Sequence, residues 1–149
     1  MDCVLCDFDG HYKNLFGKFP REEVKSTMWK NIYRHGSFFK DLPWLKEGQA
    51  LYVAAWDQFG SASLGVLSAY GSKVDCYEQK LEWLDEALFA LDQEQIILVP
   101  DKRHKARYAR PYYVLIDDKK ENVDQWRQAG GIGIHFGVDD AYTILGVKR

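Results

Sequence analysis

Two aspartates that are two positions apart follow a short apolar run near the start of the sequence. Asp7 and Asp9 come after the run 3–6, and Gly10 follows them. A short apolar run closed by a turn signal is typical of a strand buried on both faces of a parallel sheet. Residues two apart in an extended chain point to the same side, so one pocket would receive both carboxylates. Carboxylates this close repel each other unless a proton or cation intervenes, which predicts acid/base chemistry or a Mg²⁺ site.

Groups of complementary chemistry follow other apolar runs of the chain. Ser68 comes after one run, and Asp117 and Asp118 come after another, which is itself preceded by a basic stretch containing Lys102 and Lys105. In parallel sheets, ligands bind beyond the carboxyl ends of the strands. Phosphate oxygens accept hydrogen bonds from hydroxyl and ammonium groups, whereas Mg²⁺ prefers carboxylate oxygens. The set therefore predicts a site for a phosphate group and Mg²⁺.

Each of these residues also has an ordinary structural interpretation. Ser68 fits a simple loop serine, and the basic stretch 101–110 fits a solvated helix face. Asp117 or Asp118 could cap the helix that follows. The three cysteines fit small buried side chains, and the four histidines lack the spacing of metal ligands.

Strands and helices alternate along the chain, as in right-handed βαβ units. Apolar runs of β-branched and aromatic residues predict strands, and apolar residues at helical spacing predict helices. The predicted strands are 3–6, 63–67, 95–99, 112–116 and 132–136, and the predicted helices are 20–35, 48–58, 77–91 and 121–129. We therefore expect an α/β fold of three layers, with a five-stranded parallel sheet and helices on both faces.

The composition indicates one domain without a membrane segment. The sequence has 149 residues, of which 46% are hydrophobic, enough for the core of a single domain. The 20 basic and 22 acidic residues nearly balance, which gives no global reason for a nucleic-acid or anionic-membrane surface. No stretch approaches the roughly 20 apolar residues of a membrane span, and no signal peptide precedes the first run. We therefore expect a cytoplasmic protein.

The order of the four groups resembles the motifs of the haloacid dehalogenase-like (HAD) phosphohydrolase superfamily. An apolar run with Asp-Phe-Asp-Gly, an apolar run with serine, a lysine, and an apolar run with two aspartates occur in that order between residues 3 and 136. The stretches 38–43, 78–84, 105–109 before 115–118, and 122–126 before 130–131 look like the 5′(3′)-deoxyribonucleotidase branch and its phage-encoded relatives. The resemblance implies one Rossmann-like (HAD-like) domain over 1–149, with a small helical cap insertion at about 11–47.

The resemblance also implies roles for the residues at the matching positions. Asp7 would be the nucleophile that forms an aspartyl-phosphate, and Asp9 would be the general acid and base. Ser68, the Ala69 N–H and Lys105 would bind the phosphoryl oxygens, with Lys102 as the alternative lysine. Mg²⁺ would be held by Asp7, the Asp9 carbonyl and Asp117, with Asp118 as a ligand through water or an orienting group.

The resemblance implies a Mg²⁺-dependent phosphomonoesterase whose substrate is a small phosphate, most simply a (deoxy)nucleoside monophosphate. One alternative enzyme is a phosphatase for nucleic-acid 3′ ends, because the cap is short and a basic segment is present. Another alternative is a non-catalytic HAD-like binding module, because residues 11–14 depart from the usual continuation of the first motif.

Overall fold

The structure is a computed structural model that describes residues 1–71, 73–88 and 91–148. Its helices are α1 (Phe8–Phe16), α2 (Lys25–His35), α3 (Lys46–Phe59), α4 (Val74–Ala87), α5 (Lys120–Gln128) and α6 (Ala141–Leu145). Its strands are β1 (Val66–Ala69), β2 (Ile96–Val99), β3 (Val114–Asp117) and β4 (Ile132–His135). Short 3₁₀ helices lie at Pro20–Glu22, Ser61–Ser63, Gln93–Gln95 and Lys102–Tyr108. The protein is thus a mixed α/β structure.

The strands form two separate parallel pairs instead of one sheet. Strand β1 pairs with β2, with Val66 opposite Ile96, and β3 pairs with β4, with Val114 opposite Ile132. In the described ranges these pairs are two-stranded sheets that share no ladder. The predicted three-layer, five-stranded Rossmann-like sheet is therefore wrong, although the α/β class and the parallel pairing are confirmed.

The predicted first strand is instead a tight turn. The backbone amides of Val4, Leu5 and Cys6 all donate to the Met1 carbonyl at 2.8–3.2 Å, and Cys3 has a left-handed φ of 57°. An extended strand cannot direct three successive amides at one carbonyl, because alternate amides point to opposite sides. Val4, Leu5 and Cys6 are buried as predicted, whereas Cys3 is half-buried; apolar character selects burial without selecting an extended backbone.

The other predicted elements are present with shifted ends. Helices α2, α3, α4 and α5 correspond to the four predicted helices, and the four strands to the later predicted runs. Residue 72, in the predicted loop 68–72 that follows the predicted strand 63–67, and residues 89–90 of the predicted helix 77–91 lie outside the described residues. Ser68 and Ala69 belong to strand β1, not to the loop after it. None of the helices described here combines the length and apolar character needed to cross a membrane.

The largest core joins the aromatic-rich segment 11–47 to the first sheet. Its buried side chains come from the first turn, α1, α2, the segment between α2 and α3, β1 and α4, and they include Tyr12, Ile32, Phe38, Phe39, Val66, Trp83 and Leu84. A second core contains Leu51 of α3 and Ile134 of β4, and a third contains Leu115 and Trp126. The segment 11–47 is helical, as expected, and a covering role over a site stays a prediction.

Gly48 allows the first turn to pack directly on helix α3. A Cβ at this position would lie 1.6 Å from the Val4 carbonyl oxygen and 2.7 Å from its carbon. Glycine to alanine in a helix is ordinarily stabilising by about 1 kcal/mol. Here the clash is with backbone, so we expect Gly48→Ala to lower the free energy of unfolding. Urea denaturation measures it, with Gln49→Ala on the exposed side of α3 as the control; an increase in stability would contradict this packing.

Candidate functional site

A buried ion pair lies at the carboxyl end of strand β3. The Lys105 ammonium is 2.6 Å from Asp117 Oδ2, and the two residues are only 8% and 3% exposed. Asp117 Oδ1 accepts from the Lys119 backbone N–H and from Asn122 Nδ2, both at 2.9 Å. Burial alone would raise the pKa of Asp117, but Lys105 and these donors outweigh burial, so the pKa lies below its ordinary value. Asp117 is therefore an ionised carboxylate with partners on both oxygens.

The two candidate lysines both lie in the 3₁₀ helix Lys102–Tyr108, which we call the basic 3₁₀ helix, but only one of them is buried. The first residue of this helix is capped by Asp101, whose carboxylate accepts from the Arg103 N–H at 2.8 Å. Lys105 is the buried residue of this segment, whereas Lys102 is exposed and pairs with Glu121 at 2.5 Å. Of the two lysines, Lys105 therefore lies against a predicted site carboxylate.

Asp9 and Asp118 lie in one electrostatic cluster with Cys3 and Lys119. The Cys3 thiol is 4.0 Å from Asp9 Oδ1, and the Lys119 ammonium is 2.6 Å from Asp118 Oδ2. Burial, together with the charges of Asp118 and Asp9, raises the pKa of the Cys3 thiol to about 12. Burial lowers the pKa of the Lys119 ammonium, but the hydrogen bond and charge of Asp118 outweigh burial, so the pKa lies above its ordinary value. The structure thus brings together one aspartate from each predicted acidic pair.

A second buried lysine lies at the end of strand β1. The Lys80 ammonium, in a residue 1% exposed, is 2.5 Å from Asp2 Oδ2, 2.8 Å from the Ala69 carbonyl oxygen and 3.4 Å from Ser68 Oγ. It also lies 4.7 Å from the centre of the Phe39 ring. Ser68 and Ala69, the predicted phosphate-binding residues, are therefore placed beside a lysine that sequence analysis did not select.

A signal for Lys80 was present in the sequence. Cys76, Lys80 and Leu84 are spaced four residues apart, so they share one face of helix α4, and all three are buried. A lysine in the middle of an apolar stripe must find a partner or remain exposed. The position of Lys80 between Cys76 and Leu84 was therefore the available sign of a buried charge.

Asp7 has backbone partners at the start of helix α1. Its Oδ1 accepts from the Gly10 N–H at 2.9 Å as the N-cap of helix α1, and its own N–H donates to the Pro43 carbonyl. Asp9 is in the first turn of the same helix. Successive helical residues are rotated by about 100°, so residues two apart face different directions. The expectation that both carboxylates point to one side is therefore not met, because a helix replaces the predicted strand.

The arrangement does not present a preformed coordination shell for Mg²⁺. In residues 1–71, 73–88 and 91–148, no three histidine, cysteine, aspartate or glutamate side chains lie together so that they could hold a metal ion. Both oxygens of Asp117 already have partners, whereas Mg²⁺ needs oxygen ligands in near-octahedral geometry. We therefore derive no chemical step through a metal, and the expected Mg²⁺ dependence stays a prediction.

No protein-family model matches the chain, and no curated protein shows significant sequence similarity to it.

Proposed function

We propose that the protein is a phosphomonoesterase that acts on (deoxy)nucleoside monophosphates or similarly small phosphate esters. The observation that carries the proposal is the pair of buried ammonium groups, Lys80 and Lys105, at the ends of strands β1 and β3. Buried lysines are rare because each charge must be compensated. The order of the four motifs, which resembles that of the HAD phosphohydrolases, supports the proposal from the sequence.

The strand β1 end has hydrogen-bonding capacity for an anion. Two bonds of the Lys80 ammonium are short, but its 3.4 Å approach to Ser68 Oγ is longer than an ordinary hydrogen bond. The third N–H of the Lys80 ammonium therefore has no short hydrogen bond. The Ser68 O–H cannot donate to Lys80, because an ammonium group has no acceptor, so this hydroxyl hydrogen remains available to another acceptor. A phosphoryl oxygen could accept from both groups. This geometry favours Lys80 as the lysine on the serine side of the site.

The proposed reaction has two displacements at phosphorus. A carboxylate oxygen of Asp7 forms a bond to phosphorus while the bond to the ester oxygen breaks, and Asp9 gives its proton to the departing alkoxide. Water then attacks the aspartyl-phosphate as Asp9 takes its proton, which releases inorganic phosphate and restores the Asp7 carboxylate and the protonated Asp9. Because Asp7 caps α1 in the structure, its free oxygen, Oδ2, would be the attacking atom.

Phosphate release from purified protein tests the proposal. The panel contains an aryl phosphate and the 5′ and 3′ (deoxy)nucleoside monophosphates, each assayed with added Mg²⁺ and with EDTA. Release above the rate of a denatured control supports a phosphomonoesterase, and its loss in EDTA would confirm the expected cofactor. Failure with every substrate would instead favour a non-catalytic binding module, an alternative that the fully partnered Asp117 also suits.

Lys80→Met is expected to lower kcat/KM by roughly 10- to 100-fold, because a charged hydrogen bond contributes about 1.5–3 kcal/mol. Ser68→Ala combined with Lys80→Met should cost less than the sum of the single changes if the two groups bind the same oxygen. Lys40→Met, which removes an exposed lysine paired with Glu82, is the control and should leave kcat/KM unchanged. Additive losses would show that Lys80 and Ser68 act separately.

A further inference from the structure

Exposed aromatic and basic side chains alternate in the segment 107–113, which we call the aromatic-basic strip. Tyr108, Tyr112 and Tyr113 are 39%, 90% and 60% exposed; Arg107, just before Tyr108, and Arg110, between Tyr108 and Tyr112, are also exposed. The strip begins in the last two residues of the basic 3₁₀ helix and leads into strand β3. Large aromatic rings usually bury most of their surface, so three exposed tyrosines in seven residues indicate a surface that contacts something else.

The positive charges of the strip are not neutralised by the protein. The neighbouring cations have acidic partners: Lys102 pairs with Glu121, Arg103 with Asp101 and Lys105 with Asp117. Neither Arg107 nor Arg110 has such a partner in the part of the chain that the structure describes. The Arg110 guanidinium donates to the carbonyl oxygens of Arg107 and Ala109, at 3.0 and 2.7 Å. One cation is thus fixed to the backbone of the strip, and both are available to an anion.

Tyr112 keeps a backbone conformation that glycine would adopt more easily. Its φ is 70°, a left-handed value that is uncommon for a bulky residue and costs free energy. A side chain that is 90% exposed buries too little apolar surface to offset this cost in the folded chain. A tyrosine held outward in a strained conformation is consistent with a binding role, in which the ring is presented to a ligand.

We infer that the aromatic-basic strip binds single-stranded nucleic acid. Nucleobases stack on exposed aromatic rings, and guanidinium groups bind the phosphates between them. Unpaired bases are needed because a base inside a duplex does not offer its face to a side chain. The near-neutral charge of the whole chain makes this a local property of the strip rather than a general polyanion effect. The inference is independent of the proposed phosphatase chemistry.

Fluorescence anisotropy with a labelled 12-nucleotide oligothymidylate that carries no terminal phosphate tests the inference. We expect saturable binding at low salt, weakened at least about fivefold by Tyr112→Ala. A plot of log affinity against log salt concentration has a negative slope, and Arg107→Gln and Arg110→Gln should each make this slope shallower by about 0.7. Tyr112→Gly should also weaken binding without lowering the melting temperature, because glycine relieves the left-handed strain.

Two matched variants distinguish the strip from general surface effects. Arg103→Gln removes a cation from the adjoining basic 3₁₀ helix, but one that is already paired with Asp101; Tyr77→Ala removes an exposed tyrosine from helix α4. Both should leave the affinity for oligothymidylate near that of the unchanged protein. Equal losses in the controls, absence of binding at low salt, or equally tight binding of a polyglutamate of the same length would each overturn the inference.

Discussion

Asp7→Asn is expected to abolish phosphate release while the fold survives. The amide cannot displace the ester oxygen, so the rate should fall by roughly a thousandfold or more, as for other lost nucleophiles. Asparagine caps helices about as well as aspartate, and Asp7 Oδ1 accepts from the Gly10 N–H as the cap of α1. Catalysis and capping therefore separate in this one substitution. The measurement is the rate of phosphate release, with circular dichroism and thermal unfolding as the test of folding.

The matched control is Asp140→Asn, because Asp140 caps α6 through the Thr143 N–H in the same way. It should leave both activity and stability nearly unchanged. Asp7→Ala should lose activity and also about 1 kcal/mol of stability through the lost cap. Phosphate release retained by a folded Asp7→Asn protein would remove Asp7 from the role of nucleophile.

Local periodicity predicted most elements, because a helix or a short strand is decided by neighbouring residues. Helix α3 differs from its predicted range by two residues at the start and one at the end. Strand β1 begins three residues later than predicted because the Gln95 amide donates to the carbonyl oxygens of Ser61 and Leu64, each at 2.6 Å. These bonds hold the preceding residues in a 3₁₀ turn, and a partner more than 30 residues away is invisible to local pattern.

The pairing between elements could not be predicted in the same way. A five-stranded sheet requires the run 3–6 to be extended and to join the two pairs, and the left-handed Cys3 prevents this. A turn that packs on Gly48 buries the apolar side chains of that run as well as an extended strand would. The apolar pattern therefore predicted which residues are buried, whereas contacts between distant segments decided the backbone conformation of the run 3–6.

The site was predictable where an element end carries its own signal. Asp117 follows a β-branched run, and the resemblance placed Lys105 in the same site. The ion pair between them was not itself predicted, because the sequence order does not specify which carboxylate the lysine contacts. Lys80 was missed because a basic residue in a helix is ordinarily solvated, and its partners Asp2 and Ser68 come from two other segments. Asp7 and Asp9 were placed on one side because two-residue spacing has that meaning only in a strand.

Lys105→Met is expected to destabilise the protein by about 3–5 kcal/mol at neutral pH, because it leaves the buried Asp117 charge uncompensated. The two side chains are 10% and 4% exposed and their charged atoms are 2.6 Å apart. Total stabilities are only about 5–15 kcal/mol, so the variant would lose a large part of its stability. Lys102→Met is the control: its exposed pair with Glu121 should contribute no more than about 1 kcal/mol.

The pH dependence should change sign in the Lys105→Met protein. In the unchanged protein the pKa of Asp117 lies below its ordinary value, so its stabilisation is present above the unfolded pKa and is lost as the pH falls through the folded pKa. Without Lys105, burial should raise this pKa above the unfolded value, and protonation would then favour the folded state. Urea unfolding should therefore show the variant to be more stable near about pH 5 than near about pH 7. Adding Asp117→Asn should recover stability at neutral pH and abolish this difference, since no buried charge remains. If Lys105→Met costs no more than Lys102→Met, the buried pair does not form.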